Sequence, residues 1–158
     1  MKHCLSKIFL ILIFITTTNC GFKVVNKPEL KNIYFKEISS SGDKRVNFKI
    51  KNFLSDNSNL NGDNTLHINL ESKLKKIIKE KNINNENKKY EITLVVNFTI
   101  DLISKGKQIN FQSSAKGDYI VGKYNSITLN NEKTLIENLT ENVSEDILNT
   151  IRLSLNDI

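Results

Sequence analysis

The 158-residue chain has one proline, one methionine, six glycines, two cysteines and two histidines. Pro28 is the single proline, and no repeat, long linker or low-complexity tract divides the sequence, so one domain is expected. The scarcity of histidine and cysteine bears on catalysis. Past the first 19 residues there is one histidine, His67, and one cysteine, Cys20. No Ser, His and Asp arrangement, metal-ligand cluster, paired-carboxylate motif or phosphate-cradling glycine loop is visible. Asp101 and Asp118 are explained by the polar face of a hairpin. The expectation is a protein that is not an enzyme and needs no cofactor or metal.

Arginine is also scarce. Lys and Arg total 23 against 17 acids, a formal charge of +6, yet only Arg45 and Arg152 are arginines. The basic excess is lysine in an Asn- and Ile-rich chain, a bias that weakens it as evidence for an anionic partner. Nucleic acid is not an expected partner.

The N-terminus carries the long hydrophobic run. Lys2 and Lys7 flank its start, and Ile8 to Ile15, "IFLILIFI", is unbroken. At about 1.5 Å per residue, Leu5 to Ile15 covers roughly 16 Å as a helix, half a bilayer core and too short to span one. A basic start, short apolar middle and small polar end make a secretory signal peptide. Cys20 stands where cleavage is expected, resembling the bacterial lipobox, in which the thiol takes a diacylglycerol before the chain is cut ahead of it. Thr18 suits its place; Thr17 and Asn19 depart from the usual residues. Residues 1–19 are read as the removed signal and 20–29 as a lipidated tether. The remaining cysteine, Cys4, leaves with the signal, so the mature chain would hold one thiol and no disulfide. A plain secreted protein with an incidental Cys20 is the alternative. Gly21 does not resemble the inner-membrane retention signal, so the outer membrane is expected, and a multiply acylated cysteine would anchor the chain stably.

The domain, 30–158, shows four organised stretches. Leu30 to Ile38 reads as a strand. Ser41 to Asp43 offers caps for a helix whose apolar face is Val46, Ile50, Phe53 and Leu54. From Tyr90 to Leu102 apolar and polar residues alternate strictly, predicting a strand with one buried face; a turn at Ser104–Lys107 returns it as the strand Gln108 to Val121. Leu135, Leu139, Val143, Ile147, Ile151 and Leu155, widened by Ile136 and Leu148, predict a terminal helix capped by Asn130 or Asn131 and laid on the hairpin. The stretch 66–81 fits either period: Leu70, Leu74, Ile77 and Ile78 suit a helix with Glu71 four before Lys75, whereas Leu66, Ile68, Leu70, Leu74 and Ile78 share one face of a strand.

The order of these parts, with "CGFKV" at Cys20, Lys88–Lys89–Tyr90 opening the long strand, Gly106 in the turn, Ser114–Ala115 in the return strand and Tyr124 before the last helix, resembles the LPS-assembly lipoprotein (LptE) family of the outer-membrane lipopolysaccharide translocon. The resemblance implies an α+β, two-layer fold, a four-stranded β-sheet with two helices packed on one face, and so a strand at 66–81. It implies a plug in a β-barrel LPS-assembly partner (LptD-like) that supports lipopolysaccharide insertion, acting by binding and shape. Another envelope machine's accessory lipoprotein is the competing reading. The family's basic contacts to lipopolysaccharide lie near strand ends. The neighbours here are Lys81, Lys88, Lys123 and Lys133, each of which can also be read as a solvated surface lysine.

Overall fold

The computed structural model describes residues 33–59, 62, 64–103 and 106–156. In chain order they form β1 (Ile33–Gly42), α1 (Lys44–Asp56), β2 (Asn64–Lys81), β3 (Asn87–Leu102), β4 (Lys107–Ile120) and α2 (Asn125–Asn156). The sheet order is β1-β2-β3-β4. β1 runs parallel to β2, and the other pairs are antiparallel. A parallel pair needs a crossover between its strands, and α1 supplies it. The chain is therefore an α+β fold of a four-stranded sheet with two helices packed against it, as expected. The signal segment, the tether, Cys20, Ser104 and Lys105 lie outside the described residues.

Alternation in β3 does what its period requires. Ile92, Leu94, Val96, Phe98, Ile100 and Leu102 are buried, and they share one core with Leu66, Ile68 and Leu70 of β2. Val46, Ile50 and Leu54 of α1 and Leu139, Val143, Ile147 and Ile151 of α2 close that core. The other sheet face is a ladder of polar side chains. Gln112 donates to Asn97 at 2.8 Å, Asn97 to Glu71 at 3.3 Å, and Gln108 to Asp101 at 2.7 Å. Asp101 and Asp118 sit at opposite ends of this face, facing Gln108 and Glu91 in register.

The ambiguous stretch is β2. Leu66, Ile68 and Leu70 lie between β1 and β3 and are wholly buried, and pairing with β3 carries the strand on through Leu74, Ile77 and Ile78 against the local helical pattern. Glu71 meets Lys73 at 2.7 Å, the two-residue spacing of a strand, in place of the helical partner Lys75. The parallel register ends at Gly42 opposite Ser72. Beyond it β2 loses its β1 neighbour, and the lysines Lys73, Lys75, Lys76, Lys79 and Lys81 occupy this open stretch. Lysine on an unpaired strand discourages edge-to-edge association.

Gly42 makes the tight step from β1 into α1. Its φ is +94°, and a Cβ there would collide with the carbonyl oxygen of Ser72. Asp43 then caps α1, its Oδ1 accepting from the backbone N–H groups of Arg45 at 2.9 Å and Val46 at 3.1 Å.

Some boundaries differ from expectation. β1 runs on through its serines to Gly42 because β2 pairs with that segment. α2 begins at Asn125, a turn and a half before the expected cap. Its start is held by Tyr124, whose carbonyl accepts from Ile127 and Thr128, and by Thr128 Oγ1, which accepts from Gly122 N–H at 2.9 Å. Asn131 does not cap: its Nδ2 donates to the Ile120 carbonyl at 2.9 Å.

Candidate functional site

The β2–β3 turn and the β4–α2 connection meet at one end of the sheet, where Val121 N–H donates to the Lys88 carbonyl at 2.9 Å. The turn is braced by its own side-chain hydrogen bonds. Asn82 Oδ1 accepts from the N–H groups of Asn84 at 3.0 Å and Glu86 at 2.9 Å, and Asn85 adopts a φ of +62°. This scaffold holds Ile83 wholly in solvent. Ile77, Ile78, Ile120, Tyr124, Ile127 and Leu129 are exposed around the same end.

The expected lysines divide between two places. Lys81, Lys88 and Lys123 share this pole. Lys81 donates to Asn85 Oδ1 at 2.9 Å, and Lys123 lies 5.6 Å from the Tyr124 ring centroid. None of the three forms a salt bridge among the described residues. Lys133 lies elsewhere, on the wall of a groove between α1 and α2. Other lysines near the pole are committed to carboxylates. Lys79 reaches Asp118 at 2.7 Å and Glu91 at 3.3 Å, and Lys89 reaches Asp118 at 3.1 Å. The hydrogen bonds from Lys79 and Lys89 hold Asp118 below its ordinary carboxyl range and, from the other side, Asp118 raises Lys79.

Beneath the pole a cluster ties the sheet to α2. Tyr90 and Tyr119 stack at 5.4 Å, and Lys76 Nζ sits 4.5 Å from the Tyr90 centroid and 5.2 Å from that of Tyr119. Lys76 donates to Glu132 Oε2 at 2.7 Å, and Tyr119 Oη donates to the same oxygen at 2.9 Å. Burial pushes the Glu132 carboxyl up, but these two donors outweigh it and leave the group below its usual range. Burial raises the Tyr119 phenol. For Lys76 burial acts downward, and the bonds to Glu132 and Tyr119 reverse it.

Among the described residues no group of three or more His, Cys, Asp or Glu side chains could hold a metal ion. His67 is on the polar face of β2 opposite Asp101, and its buried Nε2 has no hydrogen-bond partner among the described residues. At the pole, lysine ammonium groups, mobile point charges by their chemistry, stand beside exposed isoleucine and tyrosine side chains. The expectations reached the lysines but not Ile83, Ile120 or Leu129. An isoleucine alone within the polar turn "NINNE" was the available signal; the exposure of Ile120 and Leu129 follows only from how α2 docks.

The chain matches no family model and no curated protein. Among solved structures it is similar to the rare lipoprotein B of Shewanella oneidensis, at 16% identity over 77% of this chain and 97% of that one, with a TM-score of 0.60. It is also similar to a minor lipoprotein of Acinetobacter baumannii, at 11% identity over 74% and 92% of the two chains, with a TM-score of 0.50. The four-stranded sheet with its two helices is thus a fold found in bacterial lipoproteins.

Proposed function

We propose that the chain is an outer-membrane lipoprotein, anchored by a lipid on Cys20, that plugs a β-barrel lipopolysaccharide-assembly partner and supports lipopolysaccharide insertion into the outer leaflet. The observation that carries this reading is the fold shared with the Shewanella lipoprotein over nearly all of that chain's length. The order of motifs from "CGFKV" onward supports it from the sequence. The protein acts by binding and shape, without making or breaking bonds. At the pole, Lys81, Lys88 and Lys123 meet the phosphates of lipopolysaccharide, and Ile83, Ile120 and Tyr124 lie against its acyl chains. The test is purification of the tagged, full-length chain from outer membranes in mild detergent. The expected result is a stable complex with one β-barrel whose depletion leaves lipopolysaccharide in the inner leaflet. A complex with a different envelope machine, or no stable partner, overturns the reading.

A further inference from the structure

A groove of about 550 Å³ runs between α1 and α2. That volume falls in the range of about 300–1,000 Å³ that small-molecule sites occupy. Its lining is apolar where the two helices approach, with Val46 and Phe48 from α1 and Ile136 from α2. The one hydroxyl there, on Thr140, makes no demand on a ligand, because Oγ1 donates at 2.7 Å to the Ile136 carbonyl of its own helix. Phe48 is 65% exposed, a large ring left in solvent on the groove wall.

Charge on the lining is one-sided. Lys44, Arg45, Lys49 and Lys133 stand against one carboxylate, Glu137. Lys49 neutralises that carboxylate at 2.8 Å and, with Lys133 adding its field, keeps it ionised below its ordinary range. Arg45 leans toward Asp43 at 3.7 Å, whereas Lys44 and Lys133 make no salt bridge among the described residues. An apolar trough with a surplus of mobile ammonium groups at its edge complements an alkyl chain that ends in negative charge. Lysine sets no bidentate geometry, so the head group needs charge rather than a particular shape.

We propose that this groove binds one alkyl chain carrying a single anionic head group, of the class of an ionised fatty acid. The chain lies on Val46, Phe48 and Ile136, and the head group sits between Lys44 and Lys133. This role is independent of the pole and of any barrel partner.

The protein has no tryptophan, so Phe48→Trp places a single fluorescent reporter on the groove wall. The full-length variant would be titrated with laurate, dodecyl maltoside, dodecyltrimethylammonium and acetate, all below micellar concentration. Calorimetry on the unsubstituted protein would check that the reporter does not create the site. Laurate should give a saturable blue shift that weakens with rising salt, since exposed charges are screened over about 8 Å at physiological ionic strength. The neutral and cationic dodecyl compounds should bind at least tenfold more weakly, and acetate should not register. Lys44→Glu with Lys133→Glu should weaken laurate at least tenfold, with a thermal melt confirming the fold. Equal binding of all three dodecyl compounds, a response to acetate, or no saturable response to laurate would each overturn the proposal. So would an equal loss on changing Lys81 and Lys88 to Asp, which would mean general adsorption to positive charge.

Discussion

Tyr119 and Glu132 join the last strand to the long helix: the phenol donates to Glu132 Oε2 at 2.9 Å, and Lys76 donates to that oxygen from β2 at 2.7 Å. One carboxylate thereby ties β2, β4 and α2 together just under the exposed pole. The Lys76 side chain is 41% exposed, so screening limits the ion pair to about 0.5–1 kcal/mol.

Glu132→Gln should lower stability with a defined pH dependence. The native carboxyl lies below its ordinary value of 4.5, so its contribution is fully present above that value and is lost as pH falls through the native one. Lys76 is raised above 10.5, so its share is full below that value and is lost only as pH rises through the native one. The melting difference between wild type and Glu132→Gln should therefore be largest near neutrality and shrink by pH 3. A difference unchanged at pH 3 would remove the carboxylate from this role.

Leu139 reports on helix docking. It is 3% exposed and packs in one core with Leu94, Val96 and Phe98. Leu139→Ala should cost about 2–5 kcal/mol through lost burial and the cavity left behind. For a domain of this size the midpoint should fall by on the order of 10 °C. An unchanged midpoint would mean that this face of α2 is not the inner one.

Cys20→Ser tests the anchor. The variant should appear in the soluble periplasmic fraction or retain its signal, because serine offers no thiol for the lipid. Mass spectrometry of the wild-type mature chain should find diacylglycerol on Cys20; an unmodified cysteine would contradict the reading.

The pole lysines should act together. Changing Lys81 and Lys88 to Asp should weaken lipopolysaccharide binding several-fold, and Lys123→Asp should add to it, with smaller effects at high salt. Lys133→Asp should leave this binding nearly unchanged, since Lys133 lines the groove between the helices. Equal effects from all four positions would contradict that separation.

The sequence by itself determined the elements whose period is unambiguous. β3 alternates without interruption, and the four-residue stripe of α2 admits one buried face; in both, burial follows local geometry. Asp43 as the cap of α1 and Gly106 at φ +60° in the hairpin turn were legible for the same reason, since each answers a local backbone need. Only tertiary structure decided β2. From Leu70 onward its pattern suits helix slightly better than strand, and what makes it a strand is pairing, with β1 as far as Ser72 and with β3 through to Lys81. The early start of α2 is likewise set by the Tyr124 carbonyl accepting from Ile127 and Thr128, by Gly122 N–H donating to Thr128 Oγ1, and by Asn131 donating to Ile120 at the end of β4. The candidate surfaces belong to this second kind. Lysines are visible in any sequence, but their grouping depends on which strand ends and helix faces the fold brings together. That grouping put Lys81, Lys88 and Lys123 on one pole and moved Lys133 to the groove, because neighbours in space are chosen by the packing of the core and not by distance along the chain.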